Sequence, residues 1–239
     1  EGFVKALNGV YIELNTNELY GRNLTAGALD VMGQYYSVAS SSHAFYNYGG
    51  LVYTGNDEKA LFDNMWQKCY AVIACCNTII EKCDENKAGL SPVWKGSIKG
   101  EALALRAMLH FDMLRLFGPL TSELDKESIP YQTNSDQTVT PLLSGSEVIG
   151  LILDDLKNAV GLLKDTDPYF VEEEFSDTDL NYRRFRMNYF AAKGLMARVQ
   201  LWGGDKEKAA ITAKEVIAEG QAEGAEFFPF VTNSEATSS

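Results

Sequence analysis

The stretch Lys99–Leu120, KGEALALRAMLHFDMLRLFGPL, decides the fold. Its apolar residues fall on every side of the helix they must form, yet Glu101, Arg106, His110, Asp112 and Arg115 are threaded among them. On a helical wheel Glu101, Asp112 and Arg115 share one narrow strip, and Arg106 with His110 share a nearly opposite one. Two polar strips therefore separate two apolar flanks. A lone surface helix has one apolar face; a helix packed on both its hairpin partner and the neighbouring pair needs two. Glu101 and Arg106, five residues apart, point to different faces and are expected to pair with neighbouring helices. Asp112 and Arg115, three apart, can pair locally. Charges this deeply set must be paired, and His110 reads as a structural histidine.

Working outward, the same period recurs. Phe3, Leu7, Val10 and Leu14 form one stripe, and Phe62, Met65, Cys69, Ile73, Cys76, Ile80 and Cys83 a longer one. Ser91-Pro92 opens the central helix and Gly118-Pro119 closes it. Ser144 with Glu147 fits a capping box, followed by Val148, Ile152, Leu156, Val160 and Leu163. Asn188 and Asp205 start two more helices, parted only by Trp202-Gly203-Gly204. No stretch sustains period-two alternation. The expectation is an all-α fold of tetratricopeptide-like stacked helical hairpins with long irregular loops.

In Met187–Gly220, Ala197 and Ala209 put small residues where two helices of a hairpin approach closely, the logic of the tetratricopeptide pair. Lys193 and Gln200 stand where that consensus prefers large aromatics, and no strict repeat is visible elsewhere. Three long connections interrupt the helices: Gly21 to Asn56, Thr121 to Leu143, and Asp165 to Met187. Loops this long in a compact domain are usually functional or disordered. Residues 1–230 read as one helical domain and 231–239 as a flexible tail.

The 239 residues suffice for a substantial core without staples. A formal net charge of -12 disfavours nucleic acid and anionic lipid surfaces as partners, but not neutral ligands such as sugars. No apolar run reaches the roughly 20 residues that span a bilayer. The four cysteines cluster at Cys69, Cys75, Cys76 and Cys83. Three of them follow a seven-residue spacing that sets them roughly 10 Å apart along one helix face, too far for a disulfide or a shared zinc ion. They read as small hydrophobes in a seam.

Catalytic machinery leaves no trace: there is no nucleophile elbow, phosphate-cradling glycine loop or HExxH pattern, so neither an enzyme nor a cofactor is expected. In Asp165–Asn181, Asp177, Asp179 and Asn181 mimic the opening of a calcium loop. Tyr182 replaces the required glycine, however, and Asn188 the bidentate glutamate, so a solvated acidic loop is expected and no metal. The informative connection is Gln34–Asp57, QYYSVASSSHAFYNYGGLVYTGND. Tyr35, Tyr36, Phe45, Tyr46, Tyr48 and Tyr53 crowd a stretch otherwise of Ser, Gly, Asn and Ala. Sugars present C–H faces that stack on such rings, and Asp30, His43, Asn47 and Asn56 can meet their hydroxyls. The same rings can instead pin a long loop to the scaffold. Tyr46 and Tyr48 are favoured as ligand contacts, since Gly49 and Gly50 leave them least shielded.

Trp66–Cys83, Ile98–Leu120 and Asn188–Ala209, in this order, together with ALNGVYIEL at Ala6–Leu14, resemble the SusD/RagB family. Gly100-Glu101-Ala102, Arg106-Ala107 and Leu116-Phe117-Gly118 look like its most recognisable signature, and Asn77 matches another frequent position. The resemblance implies a surface-exposed outer-membrane lipoprotein of Bacteroidetes. Such a protein binds oligo- or polysaccharide without chemistry and passes it to a SusC-like TonB-dependent transporter. It also implies that this is the N-terminal portion of a longer protein, with its lipid anchor upstream, and that the aromatic loop is where glycan contacts lie. A helical-repeat adaptor that binds only protein is the alternative, and an adaptor has no need of that loop.

Overall fold

The computed structural model describes residues 1–136, 138–171, 175–176 and 182–221. The domain boundary expected at residue 230, the tail 231–239 and the calcium-loop mimic Asp177, Asp179 and Asn181 lie outside the described residues. Eight helices are described: α1 Gly2–Leu14, α2 Ala28–Met32, α3 Tyr46–Gly49, α4 Asn56–Glu85, α5 Pro92–Phe117, α6 Gly145–Thr166, α7 Tyr189–Trp202 and α8 Lys206–Gly220. The long ones form a row, α1 on α4, α4 on α5, α5 on α6, α6 on α7 and α7 on α8. The all-α reading holds.

Caps fix where these helices begin. The Ser91 side chain accepts the Trp94 N–H at 3.3 Å, and Asn188 accepts that of Ala191 at 2.9 Å. Ser144 and Glu147 form the full capping box, and Asp205 accepts the Lys208 N–H at 3.0 Å. Each satisfies an otherwise orphaned donor of a first turn. Two left-handed residues turn the corners: Asn86, at φ 44, ends α4, and Gly204, at φ 91, reverses the chain between α7 and α8.

α5 is buried along nearly its whole length. Its contact with α6 is close enough that a Cβ on Gly100 would stand 2.8 Å from Leu163 Cγ and 3.2 Å from the Ala159 carbonyl. Its polar strips go where the wheel requires. On one side Glu101 accepts from Arg183 and, at 2.8 Å, from Arg186 Nε, and the Tyr11 hydroxyl of α1 donates to it at 2.6 Å. Asp112 pairs locally with Arg115 and takes the Tyr20 hydroxyl. On the other side the Arg106 guanidinium donates to both carboxylate oxygens of Asp155 on α6 at 2.7 Å, and to Asn77 of α4 at 2.8 Å.

The second connection holds what periodicity did not show, a two-stranded antiparallel ribbon of β1 Glu127–Pro130 and β2 Leu142–Ser144. Segments of four and three residues are too short to display alternation. Beyond β1 an extended strap, Pro130–Ser135, crosses α4 and α5 with its backbone held by their side chains. Tyr70 donates to the Pro130 carbonyl at 2.9 Å, and Asn77 to those of Gln132 and Asn134 at 3.1 and 2.9 Å. His110 accepts the Gln132 N–H at 3.0 Å, and Glu81 that of Ser135 at 2.8 Å. Buried backbone that joins no ladder must find such partners.

Lys193 and Gln200, the departures from the tetratricopeptide consensus, clasp α7 to α8. The Lys193 ammonium lies 2.8 Å from Glu219 and 3.0 Å from Glu215, and Thr212 donates to Gln200 at 2.9 Å. All four cysteines are free, three of them buried in α4. Among the described residues no helix is long and apolar enough to cross a membrane, and no group of acidic, histidine or cysteine side chains is arranged to hold a metal ion.

Candidate functional site

Residues 15–55 join α1 to α4 and carry every expected ligand contact except Asn56, which opens α4. The first part is a chain of tight turns sealed by Leu19 and Leu24, both buried. α2 follows, then α3, and the amide of Gln34 ties them by donating to the Val31 carbonyl at 3.3 Å and the Gly49 carbonyl at 3.0 Å. Gln34 itself is left-handed, at φ 63, a conformation costly for a non-glycine residue and here held by those two bonds. Asn47 secures α3 to the scaffold, its Nδ2 donating to the buried Glu58 at 2.8 Å.

The six rings divide into two sets. Phe45, Tyr48 and Tyr53 face inward. The Tyr48 ring meets Phe45 edge-on at 5.8 Å and Phe62 of α4 at 6.0 Å, and Tyr53 meets Phe62 edge-on at 5.4 Å. Phe62 continues to Phe117, Trp66, Tyr70, His110 and Tyr131, each ring within 6.3 Å of the next. This ladder bolts the loop to the α4–α5 pair. Tyr48 is only 2% exposed, which corrects the expectation that Gly49 and Gly50 leave it unshielded. The shield is Phe62, fourteen residues on. Burial raises the pKa of Tyr48 and of Tyr53 above the ordinary phenol value, with the Glu58 carboxylate adding to it at Tyr48.

Tyr35, Tyr36 and Tyr46 face outward, at 81%, 58% and 42% exposure. Among the described residues none of the three has a ring–ring contact. His43 is exposed, its Nδ1 accepting the Phe45 N–H at 3.1 Å, and Asp30 is half-buried on α2. The structure thus gathers three open phenol rings, an imidazole and a carboxylate on one anchored loop, while Asn47 and Tyr48 are committed to holding it. Sequence reading missed Arg22, whose guanidinium lies 5.7 Å over the Phe45 ring from the turn region.

The other histidine has a different task. His110 Nδ1 donates to the Arg106 carbonyl at 3.0 Å, Nε2 accepts from Gln132, and the ring stacks on Tyr131 at 4.0 Å. Burial lowers its pKa to about 3, so the imidazole is neutral and both nitrogens are engaged.

A second concavity, of about 500 Å³, lies between α1, the first half of α5 and residues 182–186, lined by Asn8, Tyr11, Trp94, Ser97, Glu101 and Arg186 among others. Sequence reading passed over it because its walls come from segments more than 60 residues apart.

A SusD-like family model described as starch-binding and associating with the outer membrane matches residues 6–201. SusD-like protein P2 of Formosa agariphila is 26% identical over 219 residues, covering 89% of this chain and 38% of that protein. A SusD-like carbohydrate binding protein of Bacteroides vulgatus superposes with a TM-score of 0.73 at 23% identity, over 98% of this chain and 46% of that one. A laminarin binding SusD-like protein superposes with a TM-score of 0.65 at 16% identity, over 91% of this chain and 43% of that one. The chain spans less than half the length of each of these three relatives.

Proposed function

The chain belongs to the SusD-like family, and from that premise we propose that it captures glycan at the outer-membrane surface, without chemistry, for delivery to a SusC-like TonB-dependent transporter. The observation that carries this reading is the division of the aromatic loop. Three rings are spent on anchorage, and Tyr35, Tyr36 and Tyr46 stand open on the connection that also carries His43 and Asp30. Open phenol rings on a fixed loop suit a polymer whose sugar faces stack and whose hydroxyls pair with polar neighbours. Tyr46, on the anchored α3, also loses little entropy on binding. Two kinds of relative support the class of ligand: a solved structure described as carbohydrate binding and another as laminarin binding. The acid balance of the chain favours neutral over polyanionic glycans.

Affinity electrophoresis through laminarin, starch and xyloglucan tests the reading. At least one polysaccharide retards the wild-type chain, and Tyr35→Ala combined with Tyr36→Ala and Tyr46→Ala abolishes that retardation while leaving the circular dichroism melt unchanged. Retardation that survives the triple substitution removes the loop from the site. The transporter is tested separately, by whether a SusC-like protein co-purifies with the chain.

A further inference from the structure

We propose that the cleft that α1 and α5 form with Pro168, Phe175 and residues 182–186 is a second saccharide site, built for one or two neutral pyranose rings; it rests on the reading of the chain as a glycan binder but shares no residue with the aromatic loop. Its volume of about 500 Å³ lies within the range of small-molecule sites. Asn8 and Tyr11 form one wall from successive turns of α1. Trp94, Ser97 and Glu101 line it from successive turns of α5, and Phe185 and Arg186 from the segment that leads into α7.

Charge argues for a neutral ligand. At the base, two guanidiniums meet two carboxylates: Arg183 pairs with Asp167 at 2.6 Å and with Glu101, and Arg186 with Glu101 at 2.8 Å. The cluster is internally balanced, so an anionic guest must displace Glu101 or Asp167 and a cationic one must displace an arginine. Neither exchange offsets the desolvation it requires.

What remains unspent is polar and aromatic. Ser97 is only 5% exposed and lines the cleft. The Asn8 carbonyl oxygen accepts from Arg186 Nη1 at 2.8 Å, which leaves its two amide protons to a ligand. Around these stand apolar faces: Trp94, tilted against Phe175 at 4.6 Å, and Phe185, 68% exposed with the Arg184 guanidinium 4.7 Å over it. Donors and acceptors with aromatic rings beside them match the hydroxyls and C–H faces of a sugar.

The three tryptophans make the site readable. Trp66 stacks on Tyr70, and Trp202 meets Phe111 edge-on; only Trp94 lines the cleft. The whole chain is titrated with maltotriose, laminaritriose and cellotriose, and with trigalacturonate as the charged counterpart, while the three indole N–H signals are followed by ¹H–¹⁵N correlation. Trp94→Phe assigns the signal. At least one neutral trisaccharide shifts the Trp94 signal saturably at millimolar concentration, trigalacturonate does not, and the shift persists in Tyr36→Ala/Tyr46→Ala. Ser97→Val weakens that binding about three- to tenfold with the Trp66 and Trp202 signals in place. A silent Trp94 overturns the inference, as does an unchanged affinity in Ser97→Val or a shift that vanishes in the loop variant. If Trp94 is silent and the loop still retains polysaccharide, this inference alone fails; if both are silent, the glycan-binding reading fails with it.

Discussion

At the scale of single residues, the polar side chains of α5 set the conditions under which the fold survives. His110 is the clearest case. Buried, it keeps a pKa of about 3, whereas the unfolded chain's imidazole titrates near ~6.5. Between these values the unfolded state binds a proton that the folded state refuses, so stability is fully present above the upper value and falls as the pH drops below it, by about 1.4 kcal/mol per unit. Glu101 shifts in the same sense. Burial alone raises a carboxyl pKa, but Arg183 and Arg186 outweigh it and hold this one below its usual range, so its contribution is lost only at the lower pH where free carboxylates titrate. Urea unfolding at pH 7 and pH 5 therefore isolates the imidazole. The wild-type chain loses stability between them, and His110→Phe, already weaker by about 1–3 kcal/mol at pH 7 because the Gln132 N–H is orphaned, shows a much flatter dependence. An equal slope in both proteins assigns the acid sensitivity elsewhere.

At the scale of elements, the tightest contact is that of α5 with α6, and it gives glycines in these two helices opposite signs. Gly100→Ala improves helix propensity by about 1 kcal/mol, yet its new methyl collides with Leu163 and the Ala159 carbonyl. Overpacking of this kind costs about 1–3 kcal/mol, and a backbone carbonyl cannot swing away. Gly161→Ala, on the open side of α6 with nothing within 4 Å of the added carbon, collects the propensity gain alone. Chemical denaturation thus lowers the midpoint of the first variant and raises that of the second; two changes of one sign refute the packing argument. The same pair of helices shows how much was legible in advance. Caps at Ser91, Ser144, Asn188 and Asp205 are local chemistry, readable within four residues, and the structure has each of them. The two polar strips of α5 announced partners on both sides, but not which ones. Tyr11 reaches Glu101 across 90 residues, and Arg183 across 82. The strap over α4 and α5 was invisible for the same reason: its hydrogen bonds are to side chains, so it has no period of its own. Tyr48 illustrates the limit best, since flanking glycines describe what is near in sequence and Phe62 is what is near in space.

At the scale of the whole molecule, the row of helices makes stability a matter of position. Among the described residues each long helix touches its neighbours in the row, so end members are held on one side and central ones on two, the arrangement in which stability is a sum of nearest-neighbour terms. α5 has the most neighbours, being covered by α4, α6, the strap and the Tyr11–Arg183–Arg186 cluster at once. α8 is covered by α7 through the Lys193 and Gln200 clasps, while Ile211 and Ile217 lie open on its other face. The aromatic ladder extends the stable centre outward along one line only, from Tyr131 through Phe62 to Tyr48, leaving the Tyr35–Tyr36 side of the loop beyond its reach. Local opening should follow that map. In native-state hydrogen exchange the amides of α5 exchange slowest, those of α4 and α6 next, and α8 and residues 35–44 fastest. Tyr48→Ala tests the ladder within this scheme. Removing a buried ring costs about 3–5 kcal/mol, and the loss accelerates exchange from α3 into the first turns of α4 while the α5–α6 contact keeps its protection. Acceleration spread evenly over all helices instead means that the molecule opens as one unit and that the loop is not an appendage bolted to a stable row.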